Sequence, residues 1–248
     1  FSIAKAFREP TRSDFESNSQ IKPEELVDIE LGWNYKLERI LINANWYYMK
    51  YKNQLVLTGE IDDVGAPVRE NSGQSFRHGL EIESTLNMSN KITINANMSI
   101  SENKNVNYLT SINGEIVNLG DTQISFSPKL VSSIGLRFNP INKLYLSFIT
   151  KHIGDQFMSN TDSDLSKLDS YTISYFNIVF KLKNTKLFNE VTISAIINNL
   201  LNTKYVSNGY HYTYDDTWSN PDQVVTYEGV GYYPQATRNY LLGFTFKF

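Results

Sequence analysis

The feature of this sequence that most restricts its possible folds is an alternation of apolar and polar residues that continues for about ten residues at a time. It is clearest over the segment Asn239–Phe248. A period of two predicts a β-strand with one apolar face and one polar face, and about ten residues is the length at which a tilted strand crosses a bilayer. The apolar positions here are Tyr240, Leu242, Phe244, Phe246 and Phe248, which alternate with Gly243, Thr245 and Lys247, while Leu241 is the one apolar exception.

Similar alternation, with apolar residues on one parity, occurs in nine further segments. Together with the C-terminal segment they predict an all-β chain of about ten antiparallel strands. The nine segments are Phe1–Phe7, Val27–Tyr35, Ile40–Leu57, Ser75–Met88, Ile92–Ile100, Lys129–Asn139, Lys143–Phe157, Ser170–Lys183 and Glu190–Tyr205.

The connections between these segments alternate between short and long. Short turns on one rim and long loops on the other are typical of outer-membrane barrels, whose long loops are extracellular. A soluble β-sandwich or β-solenoid gives no reason for this asymmetry, so the pattern favours a transmembrane barrel. The short connections are Lys36–Arg39, Ser89–Lys91, Pro140–Asn142 and Asn184–Asn189, and the long ones are Thr58–Gln74, Asn105–Pro128, Met158–Asp169 and Val206–Ala236.

A barrel in lipid gives the two strand faces different surroundings. The apolar parity is expected to face lipid and the polar parity a wet lumen. Aromatic residues near strand ends fit the interfacial girdles of such barrels, although each ring could equally pack across strands. The predicted lumen residues are Asp28, Glu30, Glu81, Glu83, Asn95 and Arg137, and the predicted girdle residues are Trp33, Tyr35, Trp46, Tyr171 and Tyr240.

Composition excludes several other classes. There is no Cys for a disulfide framework, and no apolar run approaches the roughly 18 residues of a spanning helix. The formal net charge is −3 and no basic patch is present, so we expect no nucleic-acid partner. His78, His152 and His211 lack metal-ligand spacing and no catalytic constellation is visible, so we expect neither an enzyme, nor a cofactor, nor a metal site.

The long connection between Val206 and Ala236 is rich in aromatic residues. Rings in a loop above a barrel are suited to gripping a ligand with flat faces and hydroxyl donors, but a long loop can also pack its own rings to stay folded. Both interpretations remain open from the sequence. The candidate ligand-binding residues are Tyr210, Tyr212, Tyr214, Trp218, Tyr232 and Tyr233.

Several segments, in order along the chain, resemble the C-terminal half of a TonB-dependent outer-membrane receptor. The N-terminal ones are Phe7–Pro10, similar to that family's aromatic-Arg-x-Pro loop, then Lys22–Glu24 and Ile29–Gly32, similar to its Pro-Glu and Glu-x-Gly strand, and Tyr51–Asn53 and Gly79–Glu81, which continue the series. The C-terminal ones are Asn198–Tyr205, similar to the Asn-Leu-(Phe/Leu)-(Asn/Asp)-x-x-Tyr motif of the penultimate strand, and Tyr233–Tyr240, which precedes a terminal strand ending in Phe248. Asn and Lys usage and the Tyr-rich last loop are closer to receptors of the Bacteroidetes group.

The resemblance implies that residues 1–248 form about ten C-terminal strands of a barrel of about 22 strands, whose N-terminal plug and first strands are not in this sequence. It implies a multi-pass barrel in a Gram-negative outer membrane that actively imports a small-molecule or metal-chelate substrate, with a ferric siderophore or other iron complex expected first. Implied partners are the TonB complex, through the N-terminal region, outer-membrane lipid, and the barrel-assembly machinery, through the strand ending in Phe248.

Two other functions remain open at this point. One is a self-contained ten-strand barrel, either a porin or a membrane protease, in which Phe1–Phe7 pairs with Asn239–Phe248. The other is a soluble carbohydrate-binding β-protein.

Overall fold

The structure is a computed structural model that describes residues 1–61, 67–183, 187–220 and 222–248. Its helices are α1 (Arg12–Ser17) and one 3₁₀ turn (Asp164–Ser166), and among the described residues no helix has the length and apolar character needed to span a membrane. The strands are β1 (Ser2–Arg8), β2 (Glu24–Lys36), β3 (Ile40–Lys52), β4 (Leu55–Ile61), β5 (Pro67–Asn71), β6 (Gln74–Ser89), β7 (Ile92–Val106), β8 (Leu109–Ile112), β9 (Glu115–Asn118), β10 (Thr122–Gln123), β11 (Leu130–Ile141), β12 (Leu144–Ile153), β13 (Gln156–Phe157), β14 (Lys167–Leu168), β15 (Tyr171–Lys183), β16 (Glu190–Asn198), β17 (Val206–Asp216), β18 (Val225–Pro234) and β19 (Asn239–Lys247).

Ten of these strands form one antiparallel sheet. Its order is β1-β2-β3-β6-β7-β11-β12-β15-β16-β19, and the two-residue β10 also pairs with β7. The prediction of about ten antiparallel strands is therefore confirmed. Within the described residues β1 and β19 are the two edges and do not pair with each other, so the sheet is open. This structure thus lacks the pairing that a self-contained ten-strand barrel requires.

The register of the sheet separates polar from apolar side chains. Residues directly opposite each other on neighbouring strands project from the same face. Asn45 lies opposite Glu81 and Glu81 opposite Ser99, so one polar face runs across β3, β6 and β7. The six predicted lumen residues all share this face: Asp28, Glu30, Glu81, Glu83, Asn95 and Arg137.

The opposite face of the sheet is apolar and exposed. Leu31, Ile134 and Phe244 on this face are each more than half exposed. At one end of it the rings of Trp33 and Tyr35 stack with centroids 5.7 Å apart, whereas Tyr171, also predicted as a girdle residue, lies opposite Ile153 on the polar face. An apolar face of this extent needs a lipid or protein partner rather than water.

Three predicted strands end earlier than expected: the strand predicted over Lys143–Phe157 ends at Ile153, and the other two end at an asparagine. The strand predicted over Ile40–Leu57 ends before Asn53, and the strand predicted over Glu190–Tyr205 ends before Asn199. Both asparagines have a positive φ, 57° and 49°, which asparagine tolerates better than most residues. These boundaries were wrong because apolar alternation continues beyond the point where the backbone turns.

The two rims of the sheet differ as predicted. One rim has the turns 37–39, 90–91, 142–143 and 184–189, of which 184–186 lie outside the described residues. The other rim has five long connections, which we call the loop cap: residues 9–23, 53–73, 107–129, 154–170 and 199–238, of which 62–66 and 221 lie outside the described residues. The alternation of short and long connections is therefore confirmed. The sequence did not predict that the loop cap contains the hairpins β4–β5, β8–β9, β13–β14 and β17–β18.

The loop cap contains most of the apolar core found among the described residues. Buried apolar side chains that lie in the cap are Ile21, Val56, Tyr108, Ile124, Met158 and Leu168, whereas in the sheet Ile173 is the buried apolar residue. The cap is also joined by polar contacts between its connections. Arg69 of β5 pairs with buried Asp14 of α1 at 3.1 Å, and the backbone amide of Ser125 donates to the side-chain oxygen of Asn160 at 3.0 Å. The long connections therefore pack on one another rather than extending separately into solvent.

Candidate ligand-binding face on the outermost hairpin

Five of the six predicted site residues lie together on the hairpin β17–β18. Tyr210, Tyr212 and Tyr214 occur at every second position, so their side chains project from one face of β17. Tyr233 lies opposite Asn208, which has the same parity, and therefore joins that face. Trp218 follows at the tip. We call this set, together with Tyr227 opposite Tyr214, the aromatic face.

The rings of the aromatic face form a continuous row, in which the planes of Tyr233 and Tyr210 are tilted by 52° and the other neighbouring rings are stacked. Ring centroids are 6.0 Å apart for Tyr233 and Tyr210, 6.3 Å for Tyr210 and Tyr212, and 6.4 Å for Tyr212 and Tyr214. Tyr214 then stacks on Trp218 at 6.2 Å with an interplanar angle of only 7°. The six side chains remain between 40% and 70% exposed, so their flat faces are available to a ligand.

Two glycines on β18 make room for this arrangement. Gly231 lies opposite Tyr210 and Gly229 lies opposite Tyr212. A Cβ atom at either glycine would overlap the facing tyrosine ring, so each ring lies flat across the partner strand. This close approach explains the glycines at positions 229 and 231.

The tip of the hairpin is shaped by Asp216. Its carboxylate accepts hydrogen bonds from the backbone amides of Trp218 at 3.1 Å and Ser219 at 3.0 Å. Hydrogen bonds from the Ser219 side chain and backbone lower the pKa of Asp216, so this carboxylate stays ionised at neutral pH. Because the Asp216 turn holds the Trp218 backbone, it also orients the indole ring against Tyr214.

Tyr232, the sixth predicted residue, is on the opposite face of the hairpin. It lies opposite Gly209, and its hydroxyl donates to the Leu165 carbonyl at 3.0 Å. It also lines a pocket of about 550 Å³ at the base of the hairpin, together with Lys167, Tyr205 and Gln235. Tyr232 is therefore separated from the aromatic face and helps to hold the hairpin on the connection 154–170.

Further contacts hold the two strands of the hairpin together and attach the hairpin to the other connections of the loop cap. The His211 side chain is 1% exposed and its Nε2 atom lies 3.6 Å from the Glu228 carboxylate. That carboxylate accepts a hydrogen bond from Ser163, and Thr226 exchanges hydrogen bonds with Asn113 of the β8–β9 turn at 2.6 and 2.9 Å. The aromatic face is thus presented by a supported hairpin rather than by a free loop.

A second concave surface lies on the polar face of the sheet. A groove of about 580 Å³ is lined by side chains that include Asn34, Asn45, Glu81, Glu83 and Asn97. It is a hydrophilic surface that could contact a ligand or another protein domain.

Neither histidines nor carboxylates converge on a metal site in the described part of the chain. Within it no group of three or more His, Cys, Asp or Glu residues is placed to hold an ion. His78 contacts Glu102, His211 contacts Glu228 and His152 contacts Thr172, so the three histidines belong to three separate environments.

The aromatic residues were predicted from the sequence, but the β-hairpin that carries them and the glycines opposite them were not. Tyr210, Tyr212 and Tyr214 alternate, and this spacing was available as a signal for a strand, yet the segment was treated as a loop. The glycines at 229 and 231 could not be connected with particular tyrosines before the hairpin register was known.

Comparison with solved structures gives the same architecture at low sequence identity. The siderophore receptor PiuA from Acinetobacter baumannii is 18% identical, with a TM-score of 0.65 over 94% of this chain and 30% of its own. The copper transporter OprC is 14% identical, with a TM-score of 0.70 over 98% of this chain and 36% of its own. The ferric citrate transporter FecA in its unliganded form is 14% identical, with a TM-score of 0.64 over 94% of this chain and 32% of its own. The chain thus spans about a third of the length of these proteins.

A comparison with curated proteins found no match. The family described as "TonB dependent receptor-like, beta-barrel" matches residues 1–200 of the 248. This is a family of receptors, which agrees with the expectation that the chain is not an enzyme. The fold, the order of the strands and this match together establish that the chain belongs to the TonB-dependent receptor β-barrel family.

Proposed function

We propose that this chain belongs to an active importer of a ferric siderophore or other iron complex in a Gram-negative outer membrane. Three features support the proposal: membership of the receptor family, a sheet with one apolar and one polar face, and a packed loop cap on one rim. The observation on which it most depends is the exposed aromatic face, because a stack of flat rings at the mouth of a barrel is a surface for ligand capture.

The proposal extends to the rest of the receptor. We infer that residues 1–248 are the C-terminal part of a barrel of about 22 strands, and that a plug and the first strands occur elsewhere in the full-length protein. The share of the solved receptors that the chain covers, 30–36%, supports this division. In this arrangement the TonB complex engages the N-terminal region, and the barrel-assembly machinery engages the strand that leads to Phe248.

Ligand capture is proposed to use the aromatic face. Tyr210, Tyr212 and Tyr214 offer ring faces and hydroxyl groups, and Trp218 extends the stack at the tip. Aromatic anchor residues at a binding surface contribute about 1–3 kcal/mol each. Tyr232 is expected to act differently, through the pocket at the base of the hairpin.

The proposed substrate class is an iron chelate with aromatic iron-binding groups. Rings stack well on flat aromatic ligands, and the exposed tyrosines provide this type of contact. Structural neighbours are described as a siderophore receptor, a ferric-catecholate import receptor, a ferric yersiniabactin uptake receptor and a ferric citrate transporter. One neighbour is described as a copper transporter, so Cu²⁺ is the necessary competing ligand in any test.

The test uses the full-length protein in detergent, titrated with ferric enterobactin, ferric citrate and Cu²⁺, with quenching of intrinsic fluorescence as the measurement. Ferric enterobactin has catechol rings, whereas ferric citrate has none. We expect Tyr212→Ala and Tyr214→Ala each to weaken binding of the catecholate by about tenfold, the equivalent of 1–2 kcal/mol. The matched control is Trp33→Ala, which removes an exposed ring from the apolar face of the sheet.

The possible results distinguish an error in the proposed ligand site from an error in the proposed substrate class. If the catecholate binds equally well to both loop variants, the aromatic face packs only for its own stability and the ligand site is elsewhere. If neither iron complex binds while Cu²⁺ does, the proposed substrate class is wrong. Uptake of ⁵⁵Fe by cells, compared with the surface abundance of each variant, tests transport itself.

A further inference from the structure

One edge of the hairpin that carries the aromatic face has no strand partner. Among the described residues β18 pairs with β17 alone, and this pairing is regular from Tyr232 to Val225. The Thr226 backbone amide donates to the Asn113 side-chain oxygen at 2.9 Å, so it points away from β17. In an antiparallel pair both backbone groups of a residue point to the same side, and the side alternates along the strand. Glu228, Val230 and Tyr232 therefore also direct their backbone groups away from β17.

These outward backbone groups are not covered by the rest of the described chain. The Glu228 carboxylate accepts a hydrogen bond from Ser163 and the Tyr232 hydroxyl donates to Leu165, but both side chains lie on the face of the hairpin opposite the aromatic face. No described residue bonds the backbone amide or carbonyl of Glu228, Val230 or Tyr232. An uncovered strand edge of this kind pairs readily with another extended chain.

The two ends of this open edge are defined by neighbouring residues. At Thr226 the edge is already occupied, because the Asn113 backbone amide also donates to the Thr226 hydroxyl, at 2.6 Å. At the other end of β18, Pro234 has no amide hydrogen to donate. The open edge between them has three outward residues, and an extended segment of about seven residues is long enough to cover it.

Two tyrosine hydroxyls lie beside the same edge. A Cβ atom added at Gly229 would be 2.5 Å from the Tyr212 hydroxyl oxygen, and one added at Gly231 would be 2.5 Å from that of Tyr210. Both hydroxyls therefore lie over β18 although their side chains start on β17. Within the described residues neither hydroxyl has a hydrogen-bond partner. Because the two glycines have no side chains, the backbone of β18 stays accessible between the rings and the open edge.

The charge around the open edge indicates which kind of chain approaches it. Residues 205–237, which include the hairpin, contain four carboxylates and neither Lys nor Arg. The five connections of the loop cap together contain 17 Asp and Glu but 7 Lys and Arg, a net charge of −10, whereas the net charge of the whole chain is −3. A surface with this excess of negative charge attracts cations and repels anions. The open edge therefore favours a positively charged segment.

The spacing of the rings matches cations at alternate positions of an extended chain. Every second side chain of a strand projects from the same face, about 6.8 Å from the next. The ring centroids of Tyr210, Tyr212 and Tyr214 follow one another at 6.3 and 6.4 Å. An Arg or Lys side chain over an exposed aromatic ring gains a cation–π interaction. A third strand beside β18 would place alternate side chains on the side that carries the rings.

We propose that the open edge of β18 binds an extended peptide segment with Arg or Lys at alternate positions. The segment adds an antiparallel third strand to the hairpin. Its backbone pairs with Glu228, Val230 and Tyr232, and its cationic side chains lie over the rings of Tyr210 and Tyr212. This inference goes beyond the import of an iron complex and does not depend on which substrate the receptor imports.

The experiment titrates the full-length protein in neutral detergent against a dye-labelled peptide, with fluorescence anisotropy as the measurement. The peptide has seven residues, Thr-Arg-Thr-Arg-Thr-Arg-Thr, with an acetylated N-terminus and an amidated C-terminus. Directly opposed residues of antiparallel strands share a face, so the Thr residues direct their amides toward β18 and the Arg residues direct theirs away. This difference provides a matched pair of peptide analogues that leaves the protein unchanged.

The first analogue has N-methyl groups on the two inner Thr residues, and the second has them on two Arg residues. Both keep the charge, but the first loses amide hydrogens that pair with β18. We expect the apparent Kd to rise by about tenfold or more for the first analogue and by less than about twofold for the second. A third analogue with Glu in place of Arg should bind at least about tenfold more weakly than the parent peptide.

A pair of protein variants tests the edge itself. Val230→Pro removes the outward amide hydrogen at the centre of the open edge without removing a hydrogen bond to β17, and Val230→Ala keeps that amide. We expect about tenfold weaker peptide binding in the first variant and less than about twofold in the second. Folding is checked by the heat-dependent shift of the protein on an electrophoresis gel. If Val230→Pro does not fold, the peptide analogues still decide the question.

Several results would overturn the proposal. Absence of binding by the Arg peptide, or equal binding of the Glu analogue, would exclude a cationic segment as the ligand. Equal affinities of the two N-methylated analogues would show that charge attraction acts without strand addition. Hydrogen exchange locates the site: the peptide should slow exchange in residues 225–234. Slowing confined to other connections of the loop cap would place the peptide elsewhere and contradict binding at β18.

Discussion

The sheet and the loop cap of this protein are stabilised in different ways. Ile173 is the one buried apolar residue on the described strands of the ten-stranded sheet, whereas the loop cap buries six, among them Tyr108 at 2% exposure and Ile124 at 4%. The sheet is held by its ladder of backbone hydrogen bonds and by the medium on each face, and a bilayer supplies that medium for the apolar face. The cap resembles a small soluble domain that has its own core.

This difference explains why one region was predictable and the other was not. A strand between lipid and a wet lumen must alternate in polarity whatever its neighbours are. A side chain in the cap is buried because of contacts that involve several distant segments.

The largest effect is expected in the core of the cap. Tyr108→Ala removes a buried ring, and loss of a buried aromatic residue costs about 3–5 kcal/mol. We expect faster amide hydrogen exchange in the connections 53–73 and 107–129, with the sheet amides unchanged. Tyr108→Phe is the matched control, because it removes only the hydroxyl that reaches Glu70 at 3.5 Å. Faster exchange throughout the sheet would show that the cap and the sheet are one cooperative unit.

The second prediction compares the two faces of a single strand. Phe244 is on the apolar face and Thr245 is on the polar face of β19. Arginine at Phe244 should lower the stability of the barrel by about 2–4 kcal/mol, because a cation near the bilayer midplane is costly. Arginine at Thr245 should cost far less. The measurement is a urea titration of the full-length protein refolded into vesicles, and equal costs would contradict the lipid exposure of the apolar face.

The third prediction concerns the glycines that support the aromatic face. Gly231→Val places a branched side chain where the ring of Tyr210 now lies, and overpacking of this kind costs about 1–3 kcal/mol. We expect local loss of hairpin stability and weaker ligand binding, with an unchanged amount of folded barrel. Gly32→Val is the control, since a Cβ atom there meets only one side-chain atom, 3.9 Å away. Equal ligand binding in both variants would show that the position of the Tyr210 ring does not affect ligand binding.

The smallest effect is a pH dependence of the contact between α1 and β5. Burial alone would raise the pKa of Asp14, but hydrogen bonds from Thr11 and Arg69 and the charge of Arg69 outweigh it, so the pKa is lowered. A lowered pKa means that the stabilisation is fully present above the ordinary aspartate pKa of about 3.9 and is lost as the pH falls through the folded-state pKa.

This pH effect is measured as hydrogen exchange of the α1 amides between neutral and acidic pH. Asp14→Asn should remove the pH dependence and destabilise the contact at neutral pH. Arg12→Ala is the control, because the exposed Arg12–Glu16 pair should contribute only about 0.3–0.5 kcal/mol. If Asp14→Asn retains the acid transition, another carboxylate is responsible for it.

The strand count, the two faces and the two rims could be predicted from the amino-acid sequence alone. Asn239–Phe248 alternates because its faces meet different media, and this constraint is local to the strand. The same constraint identified Asp28, Glu81 and Arg137 as residues of one polar face before any register was known. The aromatic residues of the last long connection could also be identified as candidate ligand-binding residues, because their abundance is evident from composition alone.

The arrangement of those rings depends on three-dimensional contacts that the sequence does not display. The register of β17 and β18 put Gly229 and Gly231 beneath tyrosines and turned Tyr232 to the other side of the hairpin. It also brought Asn113 to Thr226, 113 residues apart in the sequence. Such pairings depend on which segments meet in space, and no periodicity within a single segment contains that information.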